Sequence, residues 1–205
     1  MRSAYVPILR VVPEGWIGAG LLMLLALLLW SLESWQLALP PALLAPVALY
    51  WFHDNPRRSP AKPLGVLAPV DGEVIFRREC HDPYLGREAI RLGIRVAAWG
   101  NYLFRAPVEG EVLAVPGASR RVSRIQTDEG EDVLVVAAQG WLLGARPVWI
   151  PYGERVGQGR LCGLRRLSRV VDVYLPASSR VEVALGQTIR CGETVLATLL
   201  RRTER

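Results

Sequence analysis

Lysine is nearly missing from this chain. Lys62 is the only one in 205 residues, so the 25 Lys+Arg that outweigh 19 Asp+Glu are almost all arginine. Histidine is as scarce: His53 and His81 are the only two, which excludes a multi-histidine metal site within one chain, and no metal is expected. The three cysteines, Cys80, Cys162 and Cys191, have unrelated spacings and form no Cys-x-x-Cys pair. That excludes a disulfide framework and suits a reducing compartment. After Pro56 there is no long helical periodicity. Nucleic-acid motifs are lacking too, so the net charge of +6 points to an anionic membrane surface as partner and not to nucleic acid.

Two apolar runs are present near the start. Residues 16–32 are almost continuously apolar, between Glu14 and Glu33. Residues 35–52 form a second run, interrupted by Pro40, Pro41 and Pro46. Each is about the minimum length for a membrane-crossing helix. A secretory signal would need a small-residue cleavage site after the first run, and the second run follows instead. Trp16, Trp30, Trp35 and Trp51 mark the ends as interfacial aromatics do. Arg2 and Arg10 precede the pair, and Arg57, Arg58 and Lys62 follow it. The positive-inside bias then predicts a hairpin with both ends in the cytoplasm and residues 31–34 as the outer turn. The prolines leave a re-entrant or interfacial second segment as the alternative. The expected organisation is a membrane anchor over 1–55 and a β domain over 56–205.

The β domain reads as a duplication. Ala68-Pro-Val-Asp-Gly-Glu-Val-Ile75 recurs as Ala106-Pro-Val-Glu-Gly-Glu-Val-Leu113, and Gly153-Glu-Arg-Val-Gly-Gln-Gly159 is echoed by Gly186-Gln-Thr-Ile-Arg-Cys-Gly192. Short alternating runs predict strands over 89–96, 133–138, 170–174, 181–184 and 194–199, with glycines at the turns. The expected fold is all-β. The repeated pattern resembles the biotinyl/lipoyl half-barrel, or barrel-sandwich. A carrier domain of that kind needs a lysine at a hairpin tip, and Lys62 lies before the first strand, so carrier function is excluded. The membrane-fusion subunits of efflux pumps share such a barrel, but their long helical hairpin is missing.

The segment 163–176 reads Gly-Leu-Arg-Arg-Leu-Ser-Arg-Val-Val-Asp-Val-Tyr-Leu-Pro. It resembles the segment in which phosphatidylserine decarboxylases cut themselves, roughly Gly-x-Ile-x-Phe-Gly-Ser-Arg-Val-Asp-Val-Tyr-Leu-Pro. Further matches run along nearly the whole chain. Pro13-Glu-Gly-Trp16 is similar to the family's start, and Trp51-Phe-His-Asp-Asn-Pro-Arg57 to its Phe-Phe-Arg-Asp-Pro-x-Arg. Ala68-Pro-Val-Asp-Gly-Glu-Val74 resembles Pro-Ala-Asp-Gly-x-Val, and Gly100-Asn-Tyr-Leu-Phe-Arg-Ala-Pro-Val108 resembles Asp-Val-His-Val-Asn-Arg-Ala-Pro-Val.

The resemblance implies a self-processing chemistry. A serine hydroxyl attacks the carbonyl of the preceding glycine, and the ester eliminates to leave a pyruvoyl cofactor on the new amino terminus. A histidine–aspartate pair takes the serine's proton. The aspartate falls on Asp71, but the histidine position reads Tyr102, whose hydroxyl, with an ordinary pKa of about 10, is a poor base near neutrality. Laid without gaps, the Gly-Ser pair falls on Ser168 and Arg169. With one residue inserted the serine is Ser168 and its predecessor is Leu167. The family's Arg-Arg-Ile is reduced to Gly144-Ala-Arg146. His81 is the alternative base, since His53 borders the apolar hairpin.

The resemblance therefore implies a phospholipid-biosynthesis protein of the inner membrane, with its β domain on the cytoplasmic side. It is expected not to process itself, to carry no pyruvoyl and to be non-catalytic, binding phospholipid or regulating an active paralogue or another copy of itself. Arg165, Arg166 and Arg169 are the expected lipid-phosphate contacts, although such a cluster also serves as a plain solvated edge. The alternative is an active decarboxylase that makes pyruvoyl from Ser168 at a Leu-Ser junction. A third expectation is a barrel-sandwich adaptor without lipid chemistry.

Overall fold

The structure is a computed structural model, and it describes residues 11, 13–32, 35–54, 57–60, 62–97, 103–118, 121–139, 148, 150–164 and 168–200. The chain divides into two compact units, Met1–Pro56 and Arg57–Arg205.

The first unit is a helical hairpin of α1 (Pro13–Ser31) and α2 (Trp35–Trp51). Small residues make the contact face, with Gly15, Ala19 and Ala26 buried on α1 and Ala38, Pro41 and Ala45 on α2. That spacing lets two backbones approach closely. A Cβ at Gly15 would lie 2.5 Å from Cβ of Phe52, which fixes the hairpin's open end. Leu21, Leu24, Leu27 and Leu28 point outward and are exposed. By length and composition α1 can cross a bilayer. The three prolines do not break α2, contrary to the interruption its sequence suggests. Each removes an N–H from the ladder, yet its fixed φ is helical and the helix continues through it.

The second unit is β throughout its described residues. In chain order the strands are β1 (Gly65–Leu67), β2 (Gly72–Asp82), β3 (Arg87–Val96), β4 (Leu103–Arg105), β5 (Gly110–Leu113), β6 (Val122–Gln126), β7 (Asp132–Gln139), β8 (Arg155–Val156), β9 (Leu161–Leu164), β10 (Val170–Pro176), β11 (Arg180–Val181), β12 (Thr188–Ile189) and β13 (Val195–Thr198). The largest sheet has the order β12-β2-β3-β10-β7-β6-β5-β8; β1-β13-β11 and β4-β9 are smaller sheets. The all-β expectation holds.

The duplication is written into the hydrogen bonds. Val74 N–H donates to Gln187 O and Gly186 N–H to Val74 O; in the other half Val112 N–H donates to Glu154 O and Gly153 N–H to Val112 O. Strand pairing repeats the rule: Ile189 faces Gly72 as Val156 faces Gly110. Across the junction, Leu67 N–H donates to Pro107 O while Arg105 N–H donates to Pro69 O. The conserved offset within these pairs makes the two Ala-Pro-Val corners equivalent by an approximate two-fold. Both corners need glycine for the same reason. A Cβ at Gly72 would overlap the carbonyl oxygen of Arg95, and one at Gly110 that of Gln126.

Strand alternation fills two cores. Val171, Val173 and Leu175 of β10, with Val133 and Val135 of β7, face the main core beside Leu92, Ile94 and Ile125. The opposite face of the same strands carries Tyr174, Leu134 and Val136, which pack with Ala89 and Val122 under Tyr84, Leu85 and Val115. Both faces of β7 and β10 are therefore covered, so these strands are nearly continuously apolar and not the simple alternation that the sequence suggests.

Cys80, His81 and Asp82 end β2 as strand residues, and the turn begins after them. One detail departs from the sequence reading. The run 181–184 contributes only Arg180–Val181 as strand, because Ala184 and Gln187 close a turn into β12.

Candidate functional site

Asp71 sits in the bend that opens β2, between Val70 in the core and the glycine forced by the approach of Arg95. Arg57 grips it with both guanidinium arms: Nη1 donates to Oδ1 at 2.5 Å and Nη2 to Oδ2 at 2.8 Å. The backbone N–H of Cys191 adds a bond to Oδ1 at 2.8 Å. Arg57 Nη1 also donates to Cys191 O at 3.0 Å, so the pair is tied to the corner before β13. The two side chains are 13% and 16% exposed, which makes this a largely dehydrated, bidentate ion pair. The hydrogen bond to Asp71 raises the pKa of Arg57, with burial pulling the other way. Burial pushes the Cys191 thiol up to about 12, and its Sγ donates to Pro69 O at 3.0 Å. It is a packed thiol and not a nucleophile.

Ser168 lies just before β10 and is 2% exposed. Its Oγ is buried with no hydrogen-bond partner among the described residues. Arg169, next to it, is exposed. The end of β3 ties this region to Asp71: Val96 N–H donates to Arg169 O and Ala97 N–H donates to Asp71 O, both at 2.9 Å. Asp71 and Arg169 thus flank β3 on opposite sides at one end of the large sheet, about 10 Å apart by two strand spacings. Asp71 and the Ser168–Arg169 step therefore lie at the same end of the large sheet, with β3 between them. Tyr102, Arg165 and Arg166 lie outside the described residues, as do residues 33–34 of the expected outer turn 31–34.

His81 is not near this site. It lies nine residues along β2 from Gly72, about 30 Å away at strand rise, and pairs with Glu88 across the exposed far end of the β2–β3 hairpin. His81 as substitute base is therefore contradicted by the geometry. No group of three or more metal-ligating side chains occurs among the described residues.

The sequence reading missed Arg57 as Asp71's partner. The basic run after the apolar hairpin was legible, but which arginine turns inward depends on the path of 57–60, and no periodicity encodes that path. Arg105 was also missed. It is buried, donates to Gly159 O at 2.8 Å, and its Cδ would meet a Cβ placed at Gly192 at 2.7 Å. It plugs the seam between the two repeats, and the Arg-Ala-Pro at the second corner was its only signal.

Comparison with known proteins follows the same lines. No protein-family profile matches the chain. Among solved structures, glucose permease IIA from Mycoplasma capricolum aligns at a TM-score of 0.45 and 18% identity, covering 65% of this chain and 94% of that one. The phosphatidylserine decarboxylase proenzyme of Nitrosomonas europaea is 33% identical over 213 residues, covering 96% of this chain and 99% of that protein. The proenzyme of Nitrosomonas eutropha is 32% identical over the same span. That of Burkholderia vietnamiensis is 31% identical over 202 residues, covering 91% of this chain and 94% of that protein. Identity at this level, end to end, shows that the chain belongs to the phosphatidylserine decarboxylase family.

Proposed function

We propose that the chain is a phospholipid-biosynthesis relative of phosphatidylserine decarboxylase that does not process itself and is not catalytic. It keeps the family's fold and membrane address, and acts by binding phospholipid or by regulating an active paralogue or a second copy of itself. One observation carries this reading: the position matching the family's histidine is Tyr102, a poor base near neutrality, and among the described residues none is bonded to the buried Ser168 Oγ. Three further features support it. The residue before Ser168 is Leu167, where a strained turn with an accessible carbonyl calls for glycine. Asp71 is held by Arg57 through both carboxylate oxygens. His81 is remote. These residues do not fit the making of a pyruvoyl group.

On this reading the hairpin of α1 and α2 sits in the inner membrane with the β domain on the cytoplasmic side. Arg165, Arg166 and the exposed Arg169 contact lipid phosphates. Intact-mass spectrometry of the purified, detergent-solubilised chain tests the proposal. A single species at full-length mass is expected. Two fragments meeting at Ser168, the smaller with a blocked amino terminus, would establish the alternative of an active enzyme with a Leu-Ser junction.

A further inference from the structure

Strand β2 is long, but only its first residues have a neighbour on the side away from β3. There β12 pairs with Gly72 and Glu73. The turn before β12 takes both backbone groups of Val74, whose N–H donates to Gln187 O and whose C=O accepts from Gly186 N–H. Past a bulge at Ile75, β2 runs on to Asp82 beside β3 alone, with no strand on its other side among the described residues. Register says which groups are left over. Val74 turns its backbone outward and the bulge resets the alternation, so Phe76, Arg78 and Cys80 bond β3 while Arg77, Glu79 and His81 face out. The result is on the order of 15 Å of unpaired strand backbone.

An open edge of this kind is a template for another strand. Its side chains carry charge in a self-complementary order. Arg77, Arg78 and Glu79 are exposed, and Phe76 and Cys80 are half-buried. His81 is bonded to Glu88, whereas neither Arg77 nor Glu79 has an ion pair among the described residues. Arg78 leans over the ring of Phe76, with its guanidinium carbon 5.7 Å from the centroid.

We propose that the open edge of β2 is where two copies of this chain pair, antiparallel about a two-fold axis at Arg78. When identical strands meet by the same edge, facing residues must share one backbone orientation, so the axis passes through a residue and not between two. An axis at Arg77 would run Cys80 of the copy onto Val74, whose backbone groups are already taken. An axis at Glu79 would set that carboxylate against its own copy. An axis at Cys80 shortens the overlap and carries Arg77 past the end of the copy's strand. At Arg78 the edge fits itself. Arg77 of each copy faces Glu79 of the other, exchanging both backbone bonds and forming an ion pair, and Phe76 meets Cys80. The two Arg78 side chains lean in opposite directions, each toward its own Phe76, which separates their charges. This inference goes beyond the functional reading and holds whether or not Ser168 reacts.

The test is cross-linking of the full-length chain in detergent, with Arg78→Cys made in a Cys80→Ser background. Cys162 and Cys191 are buried and stay silent. Residues facing each other in a non-hydrogen-bonded pair lie about 4.5 Å apart between Cα atoms, within disulfide range. Oxidation by copper phenanthroline is therefore expected to give a covalent dimer. The wild-type chain should give none, because its Cys80 faces Phe76. Analytical ultracentrifugation supplies a second readout. Arg77→Glu is expected to weaken association about fivefold or more, and adding Glu79→Arg to restore it, which pairing through the helical hairpin would not do. A monomer throughout, no disulfide at position 78, a wild-type cross-link through Cys80, or a loss that the double exchange does not restore would overturn the proposal.

Discussion

The two Ala-Pro-Val corners of the β domain have nearly the same sequence and the same backbone, yet only one of them holds a candidate site. At the first corner Asp71 is enclosed by Arg57 and the Cys191 N–H. At the second, Glu109 occupies the equivalent step and is exposed. The repeat supplies the bend and the close strand approach in both places. What differs is the chain laid over each corner from elsewhere: the segment beginning at Arg57 covers the first. A duplicated scaffold thus gives two identical supports, and segments outside the repeat decide which of them becomes a site.

The largest test of this contrast is to remove the cover. Arg57→Ala leaves Asp71 as a mostly buried carboxylate without its cation and is expected to destabilise the domain by about 3 kcal/mol. Glu109→Ala, at the matching position of the other corner, should stay within about 0.5 kcal/mol. Denaturant unfolding of the two variants side by side measures the difference, and equal losses would break the contrast.

Substitution of the glycines asks the opposite question, whether the supports are alike. Gly72→Ala and Gly110→Ala each force a Cβ into a neighbouring carbonyl. Each is expected to cost about 1–3 kcal/mol, the range for overpacking, and the two losses should agree closely. Thermal melts of the two variants check this. A large loss at one corner only would mean that the approximate two-fold is not energetic.

The smallest effect concerns pH and Asp172, a buried carboxylate of β10. Burial raises Asp172 above its ordinary value of 3.8. An acid whose folded pKa is raised binds its proton more tightly when folded, so its contribution favours the fold at low pH and is lost as pH rises through the folded value. Relative to Asp172→Asn, the wild-type chain should therefore gain stability as pH falls from neutral toward about 4. Unfolding midpoints of the pair across that window give the sign, and a wild-type loss would contradict it.

Much of the fold could be read in advance because its signals are local. The paired Ala-Pro-Val corners and the Gly-x-x-Val-x-x-Gly echoes announced the duplication, and the short apolar runs of β3, β7 and β10 announced strands. The length of β2 was hidden, since its outer half, Arg77 to His81, is charged and polar and lacks an apolar face to reveal it. Asp71 was legible as a site residue and its ion pair was not. A salt bridge between residues 57 and 71, sealed by the backbone of residue 191, is a property of the folded path. The surroundings of Asp172 were hidden for the same reason: Arg91 and Arg121 are far from Asp172 in sequence and approach it only through strand register.

The place of β10 has a practical consequence. It is an interior strand, hydrogen-bonded to β3 on one side and to β7 on the other, while β12 and β13 downstream bind β2 and β1. A break in the backbone at Ser168 would therefore leave the carboxy-terminal piece woven through the larger one. The two would migrate together in gel filtration and part only on denaturation, so a nicked chain and an intact one would have the same size in solution. Native sizing cannot report on scission in this architecture; only a denatured readout can.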